Sequence, residues 1–114
     1  MMMTSATAVL AFFDKIGLTY KVRKFFADNF VLKNFENEFE IQKEMIIKNL
    51  GEAVYLKIKN AIFGENIVKN MQEMQKYGIN AISVRDNEYP NSLKNLEDYP
   101  IVLYFKGDIS LCIS

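Results

Sequence analysis

The chain lacks histidine and contains a single cysteine, Cys112, among its 114 residues. The missing imidazole removes the usual general base at neutral pH, and one thiol supports neither an intramolecular disulfide nor an ordinary Cys/His zinc site. A lone cysteine is most often a small, inert hydrophobic residue, and the sequence contains no phosphate-binding Walker loop or nucleophile elbow. We therefore expect a protein that is not an enzyme and needs no metal or cofactor.

Neither sign of charge is in excess, because 14 Lys and Arg residues balance 14 Asp and Glu residues. A balanced chain has no global field that would attract nucleic acid or an anionic membrane. The apolar run at residues 8–13 is too short for a secretory signal, and no apolar stretch approaches the ~20 residues of a membrane span. These features predict a cytoplasmic protein without a membrane partner.

Half of the residues are hydrophobic, which is enough for a packed core. Apolar residues at helical spacing predict five helices, over residues 6–15, 20–30, 38–50, 53–63 and 67–77. Ser5 and Thr19 stand where N-caps belong, and Asn37 with Glu40 resembles a capping box for the third helix. Four glycines stand where helices are expected to end: Gly17, Gly51, Gly64 and Gly78.

The one local concentration of positive charge consists of Lys15, Lys21, Arg23 and Lys24. On a helix over residues 20–30, Lys21 and Lys24 share a face, and Arg23 lies about 100° from Lys24. A solvated face opposite a stripe of phenylalanines is the usual explanation for such a pattern. Contact with DNA is the alternative, and these four residues are its candidates.

After Gly78 the pattern changes to short β-rich runs. Residues 79–84 and 101–105 predict two strands, and residues 91–96 predict one or two helical turns that begin behind Pro90. The run at 101–105 is apolar throughout, as in strands that are covered on both faces. Because two strands alone are marginal in water, we expect the remainder of a larger sheet to be missing.

The only two prolines each follow a tyrosine, ten residues apart, at Tyr89-Pro90 and Tyr99-Pro100. Together with their neighbours they make residues 78–108 resemble the segment just ahead of the nucleotide-fold core in DprA/Smf DNA-processing proteins. The first part of the pattern is matched by Gly78, Ile79, Ile82, Asp86, Tyr89, Pro90 and Leu93. The second part is matched by Asp98, Pro100, Leu103, Tyr104, Lys106, Gly107 and Asp108.

The resemblance implies a helical domain at residues 1–77, similar to a helix-hairpin-helix or sterile-alpha-motif bundle. It also implies that residues 78–114 are a short β-turn-β segment that begins an incomplete Rossmann-like α/β sheet. Members of this family bind single-stranded DNA during natural transformation and load the recombinase RecA onto it. Their DNA contacts lie in the core that follows this segment, so the resemblance assigns no DNA-binding or RecA-binding residue here.

Two functional hypotheses follow. The chain is either the truncated N-terminal part of a DprA/Smf-like protein or a free-standing helical module that docks on another chain by adding to a sheet edge. Tyr89 and Tyr99 could stack on bases, although a tyrosine before proline more often packs its ring within a turn. An exposed apolar strand at 101–105 would also make the isolated chain self-associate.

Overall fold

The computed structural model describes residues 5–62 and 66–106. Within these ranges the chain forms six α-helices followed by a two-stranded antiparallel sheet, so the predicted mainly helical class is confirmed. Gly64, Gly107, Asp108 and Cys112 lie outside the described residues. In chain order the elements are α1 (Ala6–Lys15), α2 (Tyr20–Asn29), α3 (Phe35–Ile41), α4 (Lys43–Leu50), α5 (Glu52–Ala61), α6 (Asn66–Lys76), β1 (Ile79–Ser83), a 3₁₀ helix (Asn91–Asn95) and β2 (Val102–Lys106).

Helix α1 lies at the centre of the core. Its residues from Thr7 to Phe13 are all buried, because α2, α6 and both strands pack around it. The hydroxyl of Ser5 accepts a hydrogen bond from the N–H of Ala8 at 3.1 Å, and Gly17 adopts a φ of +81° just beyond the helix. Both ends of this helix are therefore those predicted from its capping residues.

A cluster of phenylalanine rings joins α1, α2 and α3. The ring centroid of Phe13 lies 5.0 Å from that of Phe26 and 5.2 Å from that of Phe35. Phe26 also packs against Phe30 at 4.8 Å, and all four side chains are buried. The pairs are tilted or edge-to-face, which is the arrangement that aromatic rings prefer. The buried face predicted for residues 20–30 is thus confirmed.

The helix expected over residues 38–50 is in fact two helices, α3 and α4, separated at Gln42. The first begins earlier than expected because Phe35 is anchored in the aromatic core. Asn37 consequently lies inside α3, and the capping box expected from Asn37 and Glu40 is wrong. The N-cap residue of α3 is Asn34, and its side chain forms no capping hydrogen bond.

The two strands pair antiparallel, with Ile79 opposite Lys106 and Ser83 opposite Val102. The expectation that the second strand is covered on both faces is wrong, because Tyr104 is 44% exposed and Lys106 is also exposed. The physical reason is that the hydrophobic core reaches only the start of β2: Val102 belongs to the core, whereas Tyr104 and Lys106, further along the same face of the strand, are exposed. None of the helices within the described residues is both long enough and apolar enough to cross a membrane.

Candidate functional site

Three of the four residues in the predicted basic cluster are engaged with carboxylates. Lys15 lies 3.7 Å from Glu73 on α6, and Lys24 lies 2.8 Å from Asp28 one helical turn away. Such exposed pairs contribute little to stability, but they lower the local positive charge. Lys21 is exposed and has no ion-pair partner among the described residues.

Arg23 has a structural role. Its Nη1 lies 3.6 Å from Asp14 Oδ1, and its Nε donates to the carbonyl of Leu18 at 3.2 Å. The hydroxyl of Tyr104 donates to the other oxygen of Asp14 at 2.7 Å. Arg23 therefore connects α2 to α1 and, through Asp14, to strand β2, and it is not free to contact a ligand.

The other two lysines of the cluster, Lys21 and Lys24, line a groove of about 530 Å³ beside α2. Its wall combines cationic, aromatic and amide side chains, with the end of α4 on the far side. The lining residues are Tyr20, Lys21, Lys24, Phe25, Asp28, Asn29, Asn49 and Leu50. The groove thus combines the predicted Lys21 and Lys24 with Tyr20, which the sequence pattern did not single out.

A further aromatic ring, that of Tyr99, lies near this groove, because its centroid is 5.9 Å from the ammonium of Lys24. Burial is the main cause that raises the pKa of Tyr20, and the neighbouring Tyr99 and Asp98 raise it further. The hydrogen bond with Asp28 raises the pKa of Lys24, so this ammonium stays charged at neutral pH. The groove and its surroundings thus bring Lys21 and the Lys24–Asp28 ion pair near the rings of Tyr20 and Tyr99.

Asp86, the first acidic residue of the family pattern, connects the sheet to α1. Its Oδ2 accepts a hydrogen bond from the N–H of Ser83 at 2.8 Å and a second from the hydroxyl of Thr7. The hydroxyls of Thr7 and Ser83 also lie 2.8 Å apart, and both residues are buried. Asp86 therefore closes the turn after β1 and attaches this turn to the central helix.

Tyr89 is packed rather than available for stacking on a base. Its side chain is 3% exposed, and its hydroxyl donates to the carbonyl of Pro100 at 2.6 Å. This bond joins the two Tyr-Pro halves of the pattern across the connection between the strands, and burial raises the pKa of Tyr89. The packing interpretation of Tyr89 is confirmed, whereas Tyr99 stays partly exposed beside Lys24.

The other residues of the pattern occupy the turns and strand β2. Pro90 directly precedes the 3₁₀ helix that contains half-buried Leu93, and Pro100 is exposed ahead of β2. Leu103 and Lys106 belong to β2 together with Tyr104. Burial, followed by the hydrogen bond to Asp14, raises the pKa of Tyr104.

Arg85 is a structural residue that sequence reasoning missed. Its guanidinium donates to the carbonyls of Ala27 at 3.0 Å, Phe30 at 2.7 Å and Val31 at 3.2 Å, at the end of α2. The carbonyl of Ala27 lies in the last turn of α2, where carbonyls are left without intrahelical partners, and Phe30 and Val31 follow directly after the helix. No spacing rule connects Arg85 to them, because they lie more than fifty residues earlier in the chain.

The loop that follows α2 is held from its other side by Glu38. Its carboxylate accepts the N–H of Val31 at 2.8 Å and that of Leu32 at 2.9 Å. Leu32 is fully buried and has a φ of +66°, a backbone conformation that costs a residue with a side chain about 1–2 kcal/mol. Glu38 therefore stabilises a strained turn.

In comparisons with known proteins, no protein-family model, curated protein or solved structure matches this chain. Within residues 5–62 and 66–106, no three potential ligands come together in a way that could hold a metal ion.

Proposed function

We propose that the chain is the N-terminal part of a DprA/Smf-like DNA-processing protein and that it contacts single-stranded DNA through the groove beside α2. The family assignment is supported by the partners of the pattern's residues. Asp86 hydrogen-bonds to Thr7 and Ser83, and Tyr89 hydrogen-bonds to Pro100. The spacing of the pattern therefore brings these residues to the positions in which they form contacts that hold the fold together.

The observation that carries the DNA contact is that Lys21 and Lys24 line one groove together with Tyr20. Proteins that hold single strands combine cations that follow the phosphates with aromatic rings on which bases stack. Lys21 supplies an unpaired ammonium, and Lys24 exchanges Asp28 for phosphate when a strand binds. The ring of Tyr20, with Tyr99 beyond it, supplies the stacking surface.

The balanced net charge limits the contact to a few phosphates. Two lysine–phosphate contacts on a single strand give a slope of about −1.4 in a plot of log K against log salt concentration. A fourfold increase in salt should then weaken binding by about sevenfold. Without Lys21 the slope falls to about −0.7, and the same increase costs about two- to threefold.

The test is fluorescence anisotropy of the chain with a labelled oligo-dT at several salt concentrations. Lys21→Glu should weaken binding and flatten the salt dependence. Lys69→Glu is the matched control, because Lys69 is an exposed lysine on α6 that does not line the groove. No binding at low salt, or equal losses for the two variants, would contradict the proposal.

The alternative function is a helical module that docks by sheet-edge addition. One observation favours it: within the described residues the sheet has only the two strands β1 and β2, so the far side of β2 pairs with no strand. If the chain fails to bind oligo-dT and instead captures an extended peptide through β2, this second function replaces the first.

A further inference from the structure

The register of the sheet determines which backbone groups of β2 face outward. The N–H of Val84 donates to the carbonyl of Ile101 at 3.0 Å, so these two residues form a hydrogen-bonded pair. Hydrogen-bonded and non-hydrogen-bonded pairs alternate along antiparallel strands. Leu103 and Phe105 therefore also direct their backbone groups toward β1. The backbone groups of the intervening residues, Val102, Tyr104 and Lys106, point away from β1.

The same alternation is visible on β1. Ser83, which lies opposite Val102, should direct its N–H outward, and this N–H is bonded to the carboxylate of Asp86. The outer edge of β1 is therefore closed at Ser83 by a side chain. The outer edge of β2 has no such closure among the described residues, and it presents backbone donors and acceptors to any extended strand.

We propose that this edge pairs with β2 of a second copy of the chain, antiparallel, with Tyr104 on the two-fold axis. Isologous pairing of this kind places Tyr104 opposite the second copy's Tyr104, and Val102 opposite its Lys106. In the same register, Leu103 of each copy lies opposite Phe105 of the other copy, so the dimer contains two such Leu–Phe pairs.

The side chains support this choice of occupant. Tyr104 reaches Asp14 of α1, so alternation places Leu103 and Phe105 on the face of the sheet that points away from α1. Both are only half-buried in the single chain, and two cross-strand Leu–Phe pairs would cover them further. The two copies of Lys106 lie about 13 Å apart along the strand, farther than the Debye length of about 8 Å at physiological salt.

The first test is sedimentation equilibrium from micromolar to hundreds of micromolar protein. Lys106→Pro removes an outward N–H and leaves every β1–β2 hydrogen bond in place, whereas Lys106→Ala keeps that N–H. We expect a concentration-dependent dimer for the wild type and for Lys106→Ala, with dimerisation at least roughly tenfold weaker for Lys106→Pro. A monomer at all concentrations, or equal dimerisation of all three proteins, would overturn the proposal.

Hydrogen exchange of the wild type supplies a test that does not depend on the proline variant folding. The amides of Leu103 and Phe105 should be protected at every concentration, because they bond to β1. The amides of Val102, Tyr104 and Lys106 should gain protection only as the dimer forms. Unchanged exchange at these three amides in a dimeric sample would place the interface elsewhere. Pairing at this edge does not require the DNA contact beside α2, so sedimentation and anisotropy test the two proposals separately.

Discussion

Replacing Asp86 by alanine should destabilise the fold more than any other change at an exposed or half-buried carboxylate in the connection between the strands. The carboxylate accepts hydrogen bonds from the hydroxyl of Thr7 and the N–H of Ser83. Ser83 is completely buried, so without Asp86 its N–H loses its partner in a place that water reaches poorly.

The size of the effect follows from these two bonds. A hydrogen bond to a charged group contributes about 1.5–3 kcal/mol, but here both bonds share one oxygen, and Asp86 itself is only half-buried. We therefore expect Asp86→Ala to lower the free energy of unfolding by about 2–3 kcal/mol. For a chain of this length that corresponds to a fall in Tm of about 6–15 °C. Asp86→Asn keeps an acceptor oxygen and should cost about half as much.

The assay is urea unfolding followed by circular dichroism. Glu88→Ala is the matched control, because Glu88 is an exposed carboxylate in the same turn and should change stability by less than about 0.5 kcal/mol. Combining Asp86→Ala with Thr7→Val in a double-mutant cycle isolates the bond between them, and we expect a coupling of about 1 kcal/mol. If Asp86→Ala and Glu88→Ala were equally mild, the account of Asp86 as the attachment of the sheet to α1 would be wrong.

Two further predictions concern Glu38 and Tyr104. Glu38→Ala should lower the free energy of unfolding by about 1–2 kcal/mol, since the N–H groups of Val31 and Leu32 lose their acceptor in a strained turn; an effect no larger than that of Glu40→Ala in the same urea assay would refute this. The raised pKa of Tyr104 means that the folded chain holds this proton more tightly than the unfolded chain. The contribution of Tyr104 to the free energy of unfolding should therefore be fully present below about pH 10 and be lost as the pH rises above it, so Tyr104→Phe should reduce the alkaline fall in stability. An alkaline slope that Tyr104→Phe leaves unchanged would contradict the assignment.

Most helix positions could be predicted because their signals are local. Ser5 caps α1 through a bond within one turn, and Gly17 and Gly51 adopt positive φ values at helix ends. The boundary of α3 could not be predicted, because two side-chain contacts that no helix pattern indicates determine it. Phe35 packs against Phe13. The carboxylate of Glu38 accepts hydrogen bonds from the loop that precedes α3, and it takes no part in a capping box.

Some features of the candidate site could likewise be predicted from local sequence patterns, and others could not. Helical spacing correctly indicated that Lys21 and Lys24 lie near each other, and both line the groove. It could not show that Arg23 is held by Asp14, a residue on another helix. Nor could it show the role of Arg85, whose partners at the end of α2 are brought near only by the tertiary fold.

The measurement that tests the central claim most directly is a titration of isotope-labelled chain with oligo-dT, followed by backbone amide chemical shifts. Contact beside α2 predicts that the largest shifts occur at Tyr20, Lys21 and Lys24 and, across the groove, at Asn49. Amides in the middle of α6 should stay unchanged. Shifts that are absent at saturating oligo-dT, or that concentrate on α6 or β2, would contradict the claim that this groove handles single-stranded DNA.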